Sequence, residues 1–514
     1  MPRPARQAAP LGLVLDPAAS LPLHRQIGQQ VRLAILERRL APGQRLPSSR
    51  LMAGELDVAR GTVLLAMDQL IAEGYVVAQA ASGLSVATDL PDEMLTAPPG
   101  KGVPQMAGRT ALPPALSRRA RAALRDAPTA IGFDNAPLAF PTGQPDRAAF
   151  PFELWAKLLE REWRRPSWAV AGALHPFGHA GLRAAITAYL GAARGFTAEP
   201  ETIVVTTGVR QSLSLLAELV LDRDEAAWIE EPGFIGTREA LALAGVRAVP
   251  VPIDAQGFVL DKAMAEEPGA RLAVVAPSHQ FPLGPVLGLQ RRLALLSWAE
   301  RHDGWVAEDD FDGEYRYAGR PLAPLRALDR SGRVAYLGSF SKLLFPALRL
   351  SYVVLPAALA PAAEVLMAAV PARPSLLGQG ALARFIADGH FATHLRRTRL
   401  LYANRQKALL AGIERHLSGW LESAHDPGGM HLIARPDAAI ASRFDDRAIA
   451  AAAAAAGITV SPLSACYAGR RRRHGLILGY AATPTAEIDR ACAALAGVLR
   501  HALPNRGRLA RGPV

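Results

Sequence analysis

Apolar residues recur at helical spacing near the start of the chain, which predicts three short helices separated by polar turns. The first helix covers about residues 23–38. Its apolar face consists of Ile27, Val31, Ala34 and Ile35. After the turn APGQRLPSS, Ser48 or Ser49 can cap a second helix. A third helix begins near residue 59 and ends at Gly74, where glycine permits the turn that leaves a helix.

The residues that follow the third helix predict a small two-stranded ribbon. Short apolar runs at about residues 75–77 and 84–87 have strand character, and residues 81–83 between them form the tip. The core side of the third helix is marked by Val63, Met67, Leu70 and Ile71. We therefore predict a compact domain, mainly α, at residues 19–88, in which three helices precede a wing.

The rest of the chain changes character twice. Residues 89–130 are rich in Pro, Ala and Arg without periodicity, which is typical of a flexible linker. From residue 131 to residue 502, strand runs such as TIVVTT, AAWIEE and VAYLGS alternate with helical stretches. This alternation predicts an α/β domain built on a mainly parallel sheet, whose ligand sites lie at the carboxyl ends of its strands. Residues 503–514 form a basic tail.

The composition excludes several classes of protein. The chain has 514 residues, of which 50% are hydrophobic and 20% charged, so it can bury more than one core. No apolar run approaches the roughly 18 to 20 residues that span a bilayer, and LGLVL near the start is too short for a secretory signal. Two cysteines in so long a chain fit a reducing environment. We expect a cytoplasmic protein with no membrane partner and no metal site.

The exposed start of the third helix carries groups that suit the reading of DNA. Arg60 and Thr62 follow Ala59 there, and a guanidinium can bind a guanine edge or a phosphate while the first helical amides face the backbone. The net charge of +12 is compatible with a nucleic-acid partner. The alternatives are an ordinary three-helix bundle and an arginine-rich surface whose charges are simply solvated.

A second set of residues matches the needs of pyridoxal 5'-phosphate, an aldehyde with a pyridine ring and a phosphate. Lys342 in GSFSKLLFPALRL can form the Schiff base with the aldehyde. Asp309, which closes the strand run WVAED, can hold the ring nitrogen protonated. Arg349 can reach the phosphate, and residues 208–211 join a strand to a helix whose free amides favour a dianion.

Each of these residues also has an ordinary explanation. A lone lysine is nearly always a solvated surface charge, and the acidic run EDDFDGE could be an exposed loop. Arg349 could pair with a surface carboxylate. The order of the four elements, each at the end of a predicted strand, favours the cofactor hypothesis.

The first domain resembles the GntR-type winged helix over most of PLHRQIGQQVRLAILERRLAPGQRLPSSRLMAGELDVARGTVLLAMDQLIAEGYV. The resemblance implies contacts to double-stranded operator DNA from a set of matching residues. These are Arg45, Arg50, Arg60, Thr62 and Gly83 at the tip of the wing. Ala59 stands where the family usually has serine, and the wing lacks the usual arginine, so we expect its backbone contact to be weaker than is typical.

From about residue 133 to residue 497 the chain resembles a fold-type I aminotransferase. The segments PSHQFPLG, EDDFDGEYRY and SFSKLLFPALRLSY are similar to those of the MocR subfamily, which fuses a GntR-type domain to this fold. The resemblance makes Lys342 the Schiff-base lysine, Asp309 the partner of the pyridine nitrogen and Phe234 a ring stacked on the cofactor. It adds phosphate ligands at Arg349, Ser339, Val209 and Arg210. His279 and Gln280 stand where the fold usually supplies an asparagine to the cofactor hydroxyl.

Three departures from the aminotransferase pattern concern the active site. Phe311 stands where a tyrosine hydroxyl usually binds the cofactor's ring oxygen, and the lost hydrogen bond is typically worth about 1 kcal/mol. Ile477 stands where related enzymes place the arginine that binds a substrate carboxylate. Phe177 replaces another common tyrosine. These changes argue against efficient transamination of amino acids.

The resemblance implies a transcription regulator that binds pyridoxal phosphate and senses that cofactor or a small amino compound. It also implies a homodimer that binds paired half-sites on operator DNA. The alternative is an active aminotransferase that carries a DNA-binding domain, because Lys342, Asp309 and Arg349 are retained. A third possibility is a regulator whose cofactor site no longer binds the cofactor. This hypothesis agrees least with the retained residues.

Overall fold

The computed structural model describes residues 12–19, 21–79, 83–88, 139–164, 175–317, 322–370, 373–469 and 472–503. The chain divides into two compact units, Met1–Ala115 and Leu116–Val514. The predicted linker at residues 89–130 lies outside the described residues, as does the tail from residue 504 onward. In the part of the chain that is described, no helix has the length and apolar character needed to cross a membrane.

The first unit is a three-helix domain with a two-stranded wing. Its helices are α1 (Leu23–Leu36), α2 (Ser49–Glu55) and α3 (Arg60–Ala72). Its strands, β1 (Val76–Gln79) and β2 (Gly83–Val86), pair antiparallel. This is the winged helix-turn-helix that the apolar spacing predicts.

Local sequence explains most of the ends of these helices. The hydroxyl of Ser48 accepts a hydrogen bond from the amide of Leu51 and caps α2, and Gly74 ends α3 with a φ of 81°. Helix α1 ends two residues earlier than predicted, because Arg38 adopts a φ of 58°. On α2, Leu51 is 47% exposed, whereas Met52 beside it is fully buried.

The second unit is built on an eight-stranded sheet with the order β3-β10-β9-β8-β7-β4-β5-β6. Its strands are β3 (Ile203–Thr206), β4 (Ala226–Glu231), β5 (Arg247–Asp254), β6 (Gly257–Phe258), β7 (Leu272–Val275), β8 (Trp305–Asp310), β9 (Val334–Ser339) and β10 (Ser351–Val354). The pairs β4–β5, β4–β7, β7–β8 and β8–β9 are parallel. Strand β10 runs antiparallel to both of its neighbours, so β3 points in the same direction as β9.

Helices cover this sheet, and their apolar residues join those of the strands in the core. They are α4 (Phe152–Arg164), α5 (Ala180–Arg194), α6 (Val209–Val220), α7 (Ile235–Ala244), α8 (Leu260–Glu266), α9 (Leu289–Arg301), α10 (Leu325–Leu328), α11 (Phe340–Leu343), α12 (Ala360–Ala369), α13 (Gln379–Ala387) and α14 (His390–Gly412). Strand runs such as Leu272–Val275 are buried along their whole length, as expected for a sheet that is covered on both faces.

A smaller antiparallel sheet follows near the C-terminus with the order β11-β12-β14-β13. Its strands are β11 (Leu421–Glu422), β12 (His431–Pro436), β13 (Ser461–Pro462) and β14 (Leu476–Gly479). Two helices complete this region, α15 (Asp446–Ala455) and α16 (Thr485–Ala502). The alanine-rich run that forms α15 is a packed helix, because Ile449 and Ala453 are buried in the core.

Candidate functional site

The predicted site residues of the second unit gather at one edge of the large sheet. Asp309 lies at the carboxyl end of β8, where it is the register partner of Leu337, and Lys342 lies on α11, directly after β9. Val209 and Arg210 begin α6 after β3, which ends at the same edge. Carboxyl ends of parallel strands are the usual position of ligand sites in such sheets.

Lys342 is held inside this edge rather than on the surface. Its Nζ donates a hydrogen bond of 2.9 Å to the backbone oxygen of Gly143. Burial lowers the pKa of Lys342, the carboxylates of Asp309 and Asp312 oppose the change, and the guanidinium of Arg210 adds to it. A lower pKa leaves more of the amine neutral, which is the form that attacks a carbonyl carbon.

Asp309 is a carboxyl group in an unfavourable setting for its own charge. Burial, together with the carboxylates of Asp310 and Asp312, raises its pKa to about 7, although the ammonium of Lys342 opposes the increase. A cation placed beside Asp309 would restore its ionised form. The protonated ring nitrogen of pyridoxal phosphate is such a cation, so this residue fits the expected cofactor.

The start of α6 fits a phosphate. Gly208 is the residue before the first helical turn, and a Cβ at this position would meet open space. The amides of the first turn have no acceptor within the helix and can bind an anion. Arg210 lies on this turn and pairs with Glu239 at 2.6 Å, and the hydroxyl of Ser339 accepts a hydrogen bond from Ser351.

Arg349 lies on the short turn between Lys342 and β10. It follows the 3-10 turn Pro346–Leu348, is exposed, and has a φ of 47°, a left-handed conformation that is costly for a residue with a side chain. Strand β10 begins two residues later, at the same edge of the sheet as the end of β9. Arg349 therefore lies on the side of the sheet where the phosphate is expected.

Three phenylalanine rings pack edge to face beside these groups. The rings of Phe234 and Phe281 are 6.1 Å apart between centroids, and those of Phe281 and Phe311 are 6.0 Å apart, both edge to face. The imidazole of His279 lies 6.2 Å from the ring of Phe311. A flat aromatic ligand would find apolar faces here, and Asp309 lies two residues before Phe311 along the chain.

Comparison with known families agrees with both halves of this description. Residues 23–86 match the bacterial regulatory proteins of the gntR family, and residues 142–495 match the class I and II aminotransferases. The chain is 42% identical over 469 residues to the probable rhizopine catabolism regulatory protein MocR of Rhizobium meliloti, over 91% of this chain and 92% of that protein. The chain belongs to the MocR subfamily of GntR-type transcription regulators.

Other members of the subfamily match along nearly their whole length. The regulator TauR of Rhodobacter capsulatus is 32% identical over 95% of this chain and 98% of its own. The pyridoxine biosynthesis regulator PdxR of Corynebacterium glutamicum is 30% identical over 92% of this chain and 95% of its own. Kynurenine aminotransferase of Pyrococcus horikoshii superimposes with a TM-score of 0.65 at 24% identity, over 76% of this chain and 96% of that one, which shows the fold.

In this MocR-type regulator, the side chains of the two residues predicted near the cofactor hydroxyl form hydrogen bonds with other protein groups. His279 lies between two carboxylates, with Nδ1 2.9 Å from Asp312 and Nε2 3.2 Å from Asp426. The side-chain amide of Gln280 donates to the backbone oxygen of Pro232, and its carbonyl oxygen accepts from the amide of Leu283. The structure thus gives both residues a role in holding the loops around the site.

Three residues of this site were missed by the sequence argument. Gly143 accepts the hydrogen bond of Lys342, and a Cβ there would lie 2.6 Å from Nζ. Asp312 influences the pKa of both Lys342 and Asp309. Glu230 lies one residue before the end of β4, where burial and the charge of Asp309 raise its pKa to about 8. Their positions at strand ends or in a glycine turn were the available signals.

Two of the three departures noted in the sequence, Ile477 and Phe177, are buried apolar residues. Ile477 is 1% exposed on β14, where it packs with Leu463 and Tyr467. Phe177 is 3% exposed and lies in the core beneath the sheet. Neither position presents a polar group to the site.

In the first unit, the residues predicted to contact DNA lie on the exposed side of the domain. Arg45, Arg50 and Arg60 are exposed, and Nε of Arg60 donates to the hydroxyl of Ser49 at 3.2 Å. Thr62 is half-buried in the first turn of α3. Gly83 begins β2 with a φ of 88°, and the guanidinium of Arg45 lies against it. Members of the GntR family bind operator DNA through such a domain.

A cluster of possible metal ligands is explained by the protein's own hydrogen bonds. Asp445, Asp446 and His474 place their ligand atoms within 4.8 Å of one another. The carboxylate of Asp446 accepts bonds from the amide and hydroxyl of Ser464 and from the amide of Gly475, and it contacts Nδ1 of His474. Asp445 caps α15. These carboxylates serve the fold.

Proposed function

We propose that this regulator binds pyridoxal 5'-phosphate in its second unit through Lys342 and uses the occupied site to control operator binding. The observation that carries the proposal is the environment of Lys342. Its half-buried amine donates a hydrogen bond to the oxygen of Gly143, has a pKa lowered by burial, and lies at the same sheet edge as the start of α6. Bound there, the cofactor supplies an electrophilic carbon and an electron-withdrawing ring.

The surrounding residues divide the work of binding. Lys342 holds the aldehyde carbon, Asp309 holds a proton on the ring nitrogen, and Phe234 and Phe311 exclude water from the ring faces. The amides of Val209 and Arg210 bind the phosphate together with Ser339 and Arg349. His279 and Gln280 fix the loops on which these groups depend.

The effector is the cofactor itself or a small amino compound that competes with Lys342 for it. Lys342 and Asp309 would hold the cofactor at the carboxyl ends of β9 and β8, so a compound that took the place of Lys342 would alter the charge at this edge of the sheet. A ligand that binds two arrangements of the protein with different affinity shifts their populations. The regulator acts as a homodimer, so that two copies of α3 read paired half-sites.

The test is an absorbance titration of the purified protein with pyridoxal phosphate. Wild-type protein should develop a visible band that Lys342→Ala abolishes. Lys157→Ala is the matched control, because Lys157 is an exposed lysine of α4 and should leave the band unchanged. A band that persists in Lys342→Ala would overturn the assignment.

Transamination is the competing function, because Lys342, Asp309 and Arg349 are all in place. It is tested by following keto-acid formation from a panel of amino acids over many turnovers. A regulator should give at most one equivalent of product per site. Sustained formation would identify an active aminotransferase and would contradict the proposal.

A further inference from the structure

The surface next to the amine of Lys342 belongs to the small C-terminal sheet. Nζ of Lys342 donates a hydrogen bond to the oxygen of Gly143. The backbone just before Gly143 contacts strand β14. The amide of Gly479 on β14 donates to the oxygen of Phe140 at 3.1 Å, and a Cβ at Gly479 would overlap Pro141. A group attached to a nitrogen that takes the place of Nζ therefore lies near this sheet.

That face of the sheet is apolar. Ile477 lies two residues before Gly479, so both lie on the same face of β14. Ile477 packs in a cluster whose other buried or partly buried members are Phe281, Leu283, Ile433, Leu463, Cys466 and Tyr467. Phe281 connects this cluster to the site, because its ring contacts those of Phe234 and Phe311. We refer to this cluster as the apolar wall.

Two hydroxyl groups join the segment before Gly143 to the small sheet. Oγ1 of Thr142 donates to Oγ of Ser461 at 3.0 Å, and Ser461 is the register partner of Ile477 on the neighbouring strand. Hydroxyl groups can bind a ligand hydroxyl but give a carboxylate no opposite charge.

Two carboxylates and one guanidinium influence the pKa of Lys342. Its carboxylate neighbours are Asp309 and Asp312. Arg210 is the guanidinium that acts on it, and this residue lies at the start of α6, where it is paired with Glu239 at 2.6 Å. A carboxylate between Lys342 and the wall would lose water on contact with Ile477 and Phe281.

We propose that the effector at this site is a primary amine without a carboxylate on the carbon that bears its nitrogen, substituted there by apolar or hydroxyl groups. The proposal rests on the function proposed above. Ile477 is its specificity-determining residue, since it occupies the wall where a carboxylate partner would be needed. An uncharged substituent loses little on contact with this wall, whereas a carboxylate loses its water without gaining a partner.

The experiment compares amines that differ only by the carboxylate. Wild-type protein loaded with pyridoxal phosphate is titrated with ethanolamine and serine, and with 3-methylbutylamine and leucine, at equal concentrations of unprotonated amine. The readout is the concentration that half-shifts the visible band, corrected by the same titration of free pyridoxal phosphate. We expect each amine to act at a concentration at least about tenfold lower than its amino acid.

Serine or leucine acting at an equal or lower concentration would overturn the inference while leaving cofactor binding through Lys342 intact. Absence of a band that depends on Lys342 would instead overturn the proposed function. The two failures are therefore distinguished within one titration.

Variants at Ile477 test the residue itself. Ile477→Arg should lower the half-shift concentration for leucine and remove the tenfold preference, because the guanidinium supplies a carboxylate partner. Ile477→Leu is the matched control and should keep the preference. An unchanged preference in Ile477→Arg that folds, as judged by circular dichroism, would overturn the role of Ile477. Should that variant not fold, the wild-type comparison decides the inference by itself.

Discussion

At the scale of single residues, His279 joins parts of the chain that are distant in sequence. Its two nitrogens contact Asp312 after β8 and Asp426 before β12, and the side chain is 8% exposed. Burial lowers its pKa, but the two carboxylates outweigh this effect and raise the pKa to about 10. The imidazole is therefore charged at neutral pH and neutralises buried carboxylates that would otherwise be costly.

This pairing predicts a pH dependence of stability. Because the folded pKa of about 10 lies above the ordinary value near 6.5, the contribution of His279 is fully present below pH 6.5 and is lost as the pH rises through about 10. The pKa of the neighbouring His431 is lowered, first by burial and then by the charge of His279. We expect the free energy of unfolding of wild type to exceed that of His279→Gln by about 3–5 kcal/mol near pH 6.

The measurement is denaturant unfolding of both proteins between pH 6 and pH 10.5. The difference between wild type and variant should shrink steadily toward high pH. A difference that stays constant over this range would show that His279 is neutral in the folded protein.

Gly429, which packs against His279, provides a second test. A Cβ at Gly429 would overlap the imidazole, and Gly429 has a φ of 83°, which side chains rarely adopt. Gly429→Ala should destabilise the protein by about 1–3 kcal/mol in thermal or denaturant unfolding. Gly497→Ala on α16 is the control, because open space surrounds that position, and it should be neutral or stabilising by up to about 1 kcal/mol. Equal effects of the two changes would contradict the packing argument.

At the scale of elements, helix α3 joins the fold to its proposed DNA contacts. Val63, Met67 and Leu70 bury one side of it, while Arg60 at its start is exposed and is oriented by the hydroxyl of Ser49. The element therefore presents the guanidinium from a rigid position. A short helix with this division can bind a groove without disturbing its own core.

Arg60→Ala should weaken operator binding by about 1–3 kcal/mol and leave the fold intact. If Arg60 contacts a phosphate, the slope of log affinity against log salt falls by about 1, and if it reads a base, discrimination at that position is lost instead. Arg39→Ala is the matched control, since Arg39 is an exposed arginine paired with Glu37. Gel shifts at several salt concentrations measure these effects, and equal affinity of Arg60→Ala and wild type would contradict the assignment.

At the scale of the whole molecule, the chain consists of two units with separate cores. The buried apolar residues of the first unit form one cluster, which includes Ile27, Val63 and Leu70. The larger clusters of the second unit draw on residues from Phe140 to Leu503. Units with independent cores can unfold independently.

Scanning calorimetry should show two transitions, and pyridoxal phosphate should raise the temperature of the larger one alone. At a hundredfold excess over Kd the stabilisation is about 2.7 kcal/mol. Lys342→Ala should lose most of this shift while keeping both transitions. A shift of the smaller transition by the same amount would contradict separate unfolding.

The sequence by itself determined the elements, because helices, caps and strands depend on neighbours within a few residues. Ser48 caps α2 and Gly74 ends α3 as predicted. The strand ends that carry Asp309 and Lys342 were also predictable, since parallel strands bring their carboxyl ends to one edge. The fusion of the two families was recognisable from contiguous segments of sequence.

Only the tertiary structure decided which distant groups meet. Lys342 bonds to Gly143 across 199 positions, and His279 contacts Asp426 across 147. Such pairings depend on how the small sheet packs on the large one, and local propensity carries no signal for that packing. For the same reason only the structure shows that Leu51 on α2 is exposed while Met52 beside it is buried. Burial depends on the partner that a face meets, and a partner far along the chain cannot be read from periodicity alone.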